Sequence, residues 1–282
     1  MSRIPFKKMQ GAGNDFVVLD FFNSELAAEN PDLSSLALLM CPRNFSVGAD
    51  GLLAVLPEKG ADCRMRIFNA DGSEAQMCGN GIRCVARLLY ENGYISGKEA
   101  RIATASGLRT VRIASTPAGE FISATVDMGM PQMDAPLIPA AGSGQLIDIP
   151  VSVDAGVFSV TAVSTGNPHG VVFVDDVESF PVAEAGAQLE RCALWPQKAN
   201  IDFAEIRPGS IRVRVWERGV GETLACGTGA CAVAAAAIAS GRGKAPFAIE
   251  LSGGRLHIDC DSNGHLQMTG PAMHVFDGVF TA

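Results

Sequence analysis

The sequence lacks an apolar run long enough to cross a membrane. Its longest run extends from Ala230 to Ala239, about half of the roughly 20 residues that a membrane-spanning helix needs. The N-terminal segment MSRIPFKKMQGAGNDF carries positive charges with no apolar stretch behind them, so it does not have the pattern of a secretory signal. We therefore expect a cytoplasmic protein without a membrane partner.

The chain also lacks an excess of positive charge. It has 22 lysines and arginines against 30 aspartates and glutamates, which gives a net charge of -8. Because nucleic-acid binding depends on basic surface that neutralises phosphates, this balance argues against a nucleic-acid partner. A hydrophobic content of 48% is typical of an ordinary globular protein.

Histidine is scarce, and closely spaced cysteine pairs are absent. The 282 residues include four histidines and eight cysteines, and no two cysteines form a Cys-x-x-Cys motif. The spacings from Cys78 to Cys84 and from Cys226 to Cys231 are wider than the tight pairs of structural zinc sites. We therefore predict no metal site. Eight cysteines in so long a chain do not make a disulfide scaffold, and a reducing compartment would keep them as thiols.

The sequence contains an internal repeat. The segment RMRIFNADGSEAQMCGNG at 64–81 aligns without a gap with RVRVWERGVGETLACGTG at 212–229, and the two share two arginines, a glutamate and Cys-Gly-x-Gly. A chain of this length also exceeds the usual size of a single core. We predict two related domains, 1–127 and 128–269, with 270–282 as a segment that can return to the first.

Strand patterns outnumber helix patterns about three to one along the chain. Apolar alternation and β-branched runs predict twelve strands, whereas helices are predicted only over 32–41, 80–93, 181–192 and 228–240. A doubly wound α/β sheet needs regular alternation of strands and helices, which is missing. The pattern therefore favours an α+β fold of curled sheets around few helices.

The two cysteines of the repeat are the candidate reactive groups. Cys78 and Cys226 each precede Gly-x-Gly at the predicted start of a helix. A helix N-terminus presents unpaired N–H groups and partial positive charge, and both favour a thiolate. The N–H groups of Gly79–Gly81 and Gly227–Gly229 are also suited to hold a carboxylate.

Other interpretations of this motif stay open at this point. A cysteine at a helix start is structural more often than reactive, and two thiols can form a redox pair. The segment GTGACA also matches a dinucleotide fingerprint, with Glu250 about 20 residues further on. In that fingerprint the strand leads directly into the first glycine, whereas here a polar loop intervenes. The duplication favours a ligand shared by the two halves.

Inversion of a carbon stereocentre is a reaction that uses two thiols without an organic cofactor. One group removes a proton from one face of the carbon, and the other delivers a proton to the opposite face. Two bases that face each other across a cleft perform this in either direction. Two pseudo-symmetric domains with one thiol each are suited to it.

Four motifs resemble the diaminopimelate epimerase family. They are GAGNDFVVLD, FNADGSEAQMCGNGIRC, STGNPHG and ERGVGETLACGTGACA, and they occur in this order over nearly the whole chain. The resemblance implies a cofactor-independent isomerase that interconverts LL- and meso-diaminopimelate on the way to lysine and peptidoglycan. It also implies two similar domains, each a curled, barrel-like sheet around a central helix, and a homodimer.

The resemblance assigns roles to residues that match the family's motifs. Cys78 and Cys226 would be the catalytic acid/base pair, and His169 and Glu217 would tune their ionisation. The substrate would be an amino acid, bound by a larger set of groups: Asn14, Asn69, Asn167, Asn200, Glu217 and Arg218, with the backbone N–H groups of Gly79, Asn80, Gly227 and Thr228 at the reacting carboxylate.

Two positions depart from the family's pattern. Gly51 stands where some members carry a glutamine, so one substrate contact is in question. Thr228 replaces a serine of other members, which matters little if only its N–H is used. Two rival functions remain: a two-cysteine racemase of the proline or hydroxyproline type, and a duplicated, non-catalytic module that binds a small anion.

Overall fold

The strands of the protein form two ladders with the same connectivity. The structure, a computed structural model, describes residues 3–22 and 24–281. The chain forms two compact units. Unit 1 comprises Met1–Val126 and Gly270–Ala282, and unit 2 comprises Asp127–Thr269.

Unit 1 is built on strands from both ends of the chain. Its strands are β1 (Arg3–Gly11), β2 (Asn14–Asp20), β3 (Gly51–Leu56), β4 (Cys63–Asn69), β5 (Glu74–Ala75), β6 (Glu99–Thr104), β7 (Gly107–Ser115), β8 (Phe121–Asp127) and the C-terminal strand β18 (Met273–Thr281). Its helices are α1 (Ser24–Glu29), α2 (Leu33–Met40) and α3 (Gly79–Glu91).

Unit 2 repeats this plan. Its strands are β9 (Ile149–Val153), β10 (Gly156–Ser164), β11 (Pro168–Phe173), β12 (Asn200–Arg207), β13 (Ser210–Glu217), β14 (Gly221–Thr223), β15 (Phe247–Leu251), β16 (Gly254–Cys260) and β17 (Leu266–Gly270). Its helices are α4 (Val182–Leu189) and α5 (Gly227–Ala239), with a 3₁₀ turn at Ala135–Leu137.

The strand order is the same in both units. Unit 1 has the order β18-β1-β2-β3-β4-β6-β7-β8, with β5 also on β4. Unit 2 has the order β9-β10-β11-β12-β13-β15-β16-β17, with β14 also on β13. In each of these orders the third and fifth pairings are parallel. They are β2–β3 and β4–β6 in unit 1 and β11–β12 and β13–β15 in unit 2.

Each sheet packs against one central helix. Helix α3 packs against β1, β2, β4, β6 and β7, and α5 packs against β10, β11, β12 and β16. A helix that reaches strands at distant places of one ladder requires the sheet to curl around it. Helix α5 is nearly all alanine and small residues and is buried over most of its length, as expected for a helix that is apolar on every side. The predicted α+β fold with curled sheets is confirmed.

A second helix covers the other side of each sheet. Helix α2 contributes Leu36, Ala37 and Met40 to a core with Leu19 and Leu52. Helix α4 has the same relation to the buried strands of unit 2, where its apolar residues join a core that contains Phe203 and Trp195. Strands covered on both faces are apolar throughout, which explains the continuous run GLLAVL in β3.

No helix among residues 3–22 and 24–281 combines the length and apolarity that crossing a bilayer requires.

A charged network ties β1 to β2 near the start of unit 1. Lys8 is buried and its Nζ lies 2.6 Å from Asp15 Oδ2, while Arg43 Nη2 donates to Asp15 Oδ1 at 2.6 Å. Burial alone would raise the pKa of Asp15, but the hydrogen bonds from Arg43 and Lys8 hold that pKa below its usual value. The network therefore stabilises the fold only while Asp15 is ionised.

We expect Asp15→Asn to lower the free energy of unfolding by about 2 to 3 kcal/mol at neutral pH, because it leaves the buried Lys8 ammonium without its anion. A group with a lowered folded-state pKa contributes stability above its unfolded pKa near ~3.9, and this contribution is lost as the pH falls through the folded pKa. Urea titrations of both proteins should therefore converge below about pH 4. The exposed Asp154→Asn is the control, and an equal loss there would contradict the explanation.

Candidate active site

Cys78 and Cys226 are the N-cap residues of α3 and α5, two helices of 13 residues each. Each cysteine has an extended backbone, and its Sγ accepts a hydrogen bond at 3.4 Å from the N–H three residues later, of Gly81 and Gly229 respectively. Helix N-caps are normally serine, threonine, aspartate or asparagine. Sulfur in this position in both units places each thiol at the positive end of a helix.

The third residue of each helix is a glycine that lies close to a neighbouring strand. A Cβ built on Gly81 would lie 3.0 Å from the Leu53 side chain, and one built on Gly229 would overlap Asp202 Oδ1. The second glycine of Cys-Gly-x-Gly therefore allows the first helical turn to pass close to the neighbouring strand. Packing therefore explains the second glycine of the motif, whereas the hydrogen bond to sulfur uses only its backbone N–H.

Asn14 is the centre of the polar cluster at Cys78 in unit 1. Its Oδ1 accepts from Cys78 Sγ at 3.6 Å and from Asn80 Nδ2 at 3.3 Å, and its Nδ2 donates to Asp50 Oδ2 at 2.7 Å. Because a carboxylate only accepts hydrogen bonds, Asp50 fixes the orientation of the Asn14 amide. The amide oxygen is thereby directed toward the thiol. The buried Arg83 binds Asn80 Oδ1 at 2.9 Å and holds it in place.

Within unit 2, three hydrogen bonds in series connect Cys226 to Asp202. Cys226 Sγ lies 3.2 Å from Thr228 Oγ1, which lies 3.0 Å from His169 Nε2. His169 Nδ1 lies 2.7 Å from Asp202 Oδ2, and both side chains are fully buried. His169 Nε2 is also 3.1 Å from Asn167 Oδ1. The thiol is therefore connected through a hydroxyl to a buried imidazole and carboxylate.

The surroundings of Cys226 disfavour its ionised form. Burial raises the pKa of the thiol well above its usual value, and the carboxylates of Glu217 and Asp202 raise it further. The hydrogen bond shared with the Thr228 hydroxyl and the one from the Gly229 N–H act in the opposite direction and lower the pKa. Without a proton acceptor, this thiol would stay protonated at neutral pH.

The other predicted site residues of unit 2 lie next to this chain of contacts. Asn200 Nδ2 donates to Pro168 O at 3.1 Å, and Asn200 Oδ1 accepts from the Arg218 N–H at 2.9 Å. The Arg218 guanidinium is exposed and donates to Gln197 O at 3.3 Å. Glu217 Oε1 accepts from the Thr223 hydroxyl at 2.5 Å.

The hydrogen bond of the Asn69 side chain is to a residue outside the cluster at Cys78. Asn69 ends β4 and is exposed, and its Nδ2 donates to Ser73 Oγ at 2.9 Å in the loop before β5. The structure thus brings together Asn14, Cys78 and Asn80 in unit 1. In unit 2 it brings together a larger group: Asn167, His169, Asn200, Arg218, Cys226 and Thr228.

Three features of the site were not predicted from the sequence: Asp50, Asp202 and the use of the Thr228 hydroxyl. Asp202 interrupts an apolar strand in NIDFAEI, and a charged residue in a buried strand was the available signal. Its partner His169 lies on a neighbouring strand, and the pairing depends on the register of β11 and β12. Within the described residues, no three His, Cys, Asp or Glu side chains are grouped as a metal site requires.

Comparison with known proteins gives one family. The sequence model described as diaminopimelate epimerase matches residues 6–133 and 161–275. A protein named diaminopimelate epimerase from Moorella thermoacetica is 44% identical over 278 residues, which cover 98% of both chains. One with the same name from Desulfitobacterium hafniense is 44% identical over 274 residues and 96% of both chains.

A solved structure extends the likeness to the fold. The crystal structure of a hydroxyproline epimerase from Agrobacterium vitis superimposes with a TM-score of 0.71, covering 99% of this chain and 91% of that one. The two sequences are 17% identical. At this distance the likeness concerns the fold alone.

Proposed function

The chain belongs to the diaminopimelate epimerase family, and from this premise we propose that it is an isomerase that interconverts LL- and meso-2,6-diaminopimelate without an organic cofactor. The observation that carries the proposal is the duplicated cysteine N-cap, with Sγ in both units accepting the N–H of the second motif glycine at 3.4 Å. Membership of the family supplies the substrate, and the thiols supply the chemistry. The product would serve lysine and peptidoglycan precursor synthesis, in the cytoplasm.

The reaction needs a base and an acid at one α-carbon. The thiolate of one cysteine takes the α-proton, and the thiol of the other gives a proton to the opposite face. The first cysteine ends as a thiol and the second as a thiolate, so the reverse reaction starts from the state that the forward one leaves. No redox step and no net proton change are involved.

The helix N-termini are suited to the α-carboxylate of the substrate. The first turns of α3 and α5 offer the N–H groups of Gly79, Asn80, Gly227 and Thr228, and a carboxylate near these groups is favoured by the helix dipole. As negative charge develops on the α-carbon and its carboxylate, the same N–H groups stabilise it. These donors therefore serve both binding and proton removal.

The distal amino acid end would be held by polar side chains, with Asn14, Asn69, Asn167, Asn200 and Glu217 as hydrogen-bonding groups. Arg218 would bind the distal carboxylate as a bidentate pair. Gly51 provides no side chain, whereas the equivalent first residue of β12 is Asn200. Asn200 also holds the Arg218 backbone. We therefore infer that Asn200 also positions Arg218.

The test is solvent isotope exchange. The purified protein is incubated with LL-diaminopimelate in D₂O, and the α-position is followed by mass spectrometry and NMR. We expect the meso isomer to appear with deuterium at the inverted carbon and no added cofactor. Conversion without deuterium, or no conversion, would rule out a proton-transfer epimerase.

A substrate panel separates the rivals. A racemase of the proline or hydroxyproline type would exchange the α-hydrogen of those amino acids and leave diaminopimelate unchanged. A non-catalytic anion-binding module would bind diaminopimelate in calorimetry and exchange nothing. Cys260→Ser, a change at a partly exposed cysteine, serves as the control that keeps full exchange.

We also propose that the protein is a homodimer, joined through strand β18. Among the described strands β18 pairs with β1 on one edge, and its Met273, Val275, Phe276 and Val279 side chains are 48%, 55%, 45% and 52% exposed. An edge strand with exposed apolar residues is a template for pairing with another strand. The second copy of the same strand is the proposed partner.

Val275→Asp tests this dimer. The carboxylate would be buried in an apolar contact, so we expect the protein to elute as a monomer at micromolar concentration in size exclusion with light scattering. Val157→Asp is the control, since Val157 is 70% exposed on unit 2. A monomeric wild type, or a dimeric Val275→Asp protein, would contradict the proposed interface.

A further inference from the structure

His169 and Asp202 form a fully buried pair next to Cys226. Both side chains have zero exposure, and Nδ1 and Oδ2 are 2.7 Å apart. Within the described part of the chain, the other oxygen, Asp202 Oδ1, is buried without a hydrogen-bond partner. A buried carboxylate with an unpaired oxygen is costly unless it faces a positive charge. The imidazole, once protonated, is the positive charge in reach.

The equivalent positions of unit 1 are apolar. His169 pairs with the first residue of β12 and Phe16 with the first residue of β3, both in parallel pairings. Asp202 and Leu53 are each the third residue of those strands, and each lies against the second glycine of its motif. In unit 1, phenylalanine and leucine therefore pack at the two equivalent positions of the fold without any polar group. The histidine and aspartate need an explanation other than packing.

The Thr228 hydroxyl joins the pair to the thiol. It lies 3.0 Å from His169 Nε2 and 3.2 Å from Cys226 Sγ. Asp202 only accepts hydrogen bonds, so Nδ1 carries a hydrogen and the neutral imidazole has a bare Nε2. Nε2 then accepts from the Thr228 hydroxyl, whose oxygen accepts from the Cys226 S–H. With the imidazole neutral, the two contacts of the Thr228 hydroxyl thus run from sulfur to the hydroxyl and from the hydroxyl to the imidazole.

We propose that Asp202 and the Thr228 hydroxyl are positioning residues that make His169 the proton acceptor of Cys226. This rests on the proposed function, in which Cys226 must become a thiolate, and it goes further by naming where the proton goes. In unit 1, Cys78 Sγ donates to the neutral amide oxygen of Asn14 at 3.6 Å.

The transfer is balanced without any further reactant. The S–H bond of Cys226 breaks as an O–H bond forms on Thr228, and the original Thr228 O–H breaks as N–H forms on His169 Nε2. The products are a thiolate, an unchanged threonine and an imidazolium paired with Asp202. Asn167 Oδ1, 3.1 Å from Nε2, accepts the new N–H. The threonine hydroxyl, turned by this exchange, donates to the thiolate.

The charged and titratable groups around Cys226 make the test decisive. In the described part of unit 2 they are Glu217 at the end of β13, Asp202 on β12 and His169 on β11, and the first turn of α5 contains no acidic residue. If Asp202 acts only as a nearby negative charge, its removal makes the thiolate easier to form. If it supports His169 as the acceptor, its removal makes the thiolate harder to form. The two explanations predict shifts of opposite sign.

The experiment is a pH titration of thiolate absorbance in the full-length protein without substrate. For each protein the spectrum of its Cys226→Ser version is subtracted, which removes the other cysteines and the tyrosines. We expect Asp202→Asn and Thr228→Val each to raise the midpoint of Cys226 ionisation by about one pH unit. Thr228→Ser, which keeps the hydroxyl, should restore the wild-type midpoint.

A lower midpoint in Asp202→Asn, or equal midpoints in Thr228→Val and wild type, would overturn the proposal. If Asp202→Asn fails to fold, the double variant His169→Phe/Asp202→Leu is used, which carries the residues found at the equivalent positions of unit 1. Its midpoint of Cys226 ionisation should rise by the same amount. Because the titration uses no substrate, it is independent of the proposed reaction. An upward shift in a protein that does not exchange the diaminopimelate α-hydrogen would leave the proton path standing and remove the proposed function.

Discussion

Replacement of either Cys78 or Cys226 by alanine should lower kcat for epimerisation by about 10³-fold or more, because general acid or base catalysis supplies up to about 10⁴-fold and the two thiols act in series. The loss should appear in both directions of the reaction. The missing thiol is the base in one direction of the reaction and the acid in the other. Its loss therefore blocks proton removal in one direction and proton delivery in the other. The expected outcome is therefore equal impairment starting from LL and from meso isomer.

The single variants should nevertheless keep half of the chemistry. In the proposed mechanism each thiol acts on one side of the α-carbon, so the remaining thiol should exchange the α-hydrogen of the stereoisomer that presents that side. In D₂O, we expect Cys78→Ala to deuterate one isomer at the reacting carbon and Cys226→Ala to deuterate the other, with no inversion in either case. Mass spectrometry of each isomer after chiral separation measures this.

Matched controls exist on the same two helices. Cys84 and Cys231 are fully buried in α3 and α5, and burial raises the pKa of Cys84 to about 12. A conservative Cys84→Ala or Cys231→Ala change should leave the isotope pattern intact. If both catalytic variants deuterated the same isomer, a mechanism with one base would replace the one proposed.

The starts of α3 and α5 and their cysteine N-caps were predictable from the sequence because each depends on local pattern. Cys-Gly-x-Gly after a polar loop predicts an N-cap, and α3 and α5 begin at the residue after each cysteine. The strands Gly51–Leu56 and Cys63–Asn69 were predicted with the observed bounds, since a continuous apolar run and strict alternation are unambiguous.

Strands β1 and β18 were not predicted because their stability is non-local. The sequence RIPFKKMQG places two lysines in β1, and Lys8 is buried only because Asp15 on β2 and the carbonyl of Gly48 bind its ammonium. β18 exposes apolar residues that a strand prediction expects inside. Similarly, His169 and Asp202 meet because β11 and β12 pair in parallel with one particular register. Single-residue patterns carry no information on register between distant strands.

Replacement of Arg218 by alanine should have the second large effect. Within the described residues Arg218 has no carboxylate at ion-pair distance, whereas Arg214 and Arg255 of the same unit are paired with glutamates. Its guanidinium is therefore available for the distal carboxylate of the substrate. Two hydrogen bonds to a charged group, each worth roughly 1.5 to 3 kcal/mol, correspond to a loss of about 10²- to 10⁴-fold in kcat/KM.

Arg218→Lys separates geometry from charge. Lysine keeps the positive charge but not the planar fork, so we expect an intermediate loss that is mostly in KM. Arg255→Ala, also exposed and in unit 2, should leave kcat/KM unchanged.

The sharpest form of this prediction uses a truncated substrate. An analogue of diaminopimelate without the distal carboxylate should be a poor substrate of the wild type, and Arg218→Ala should not make it poorer. This follows because the mutation and the truncation remove the two partners of one interaction, so their effects do not add. Additive losses would show that Arg218 does not bind the distal carboxylate and acts instead through the Asn200 contact to its backbone or on the fold. The substrate panel would then have to decide between a long bifunctional substrate and a short one.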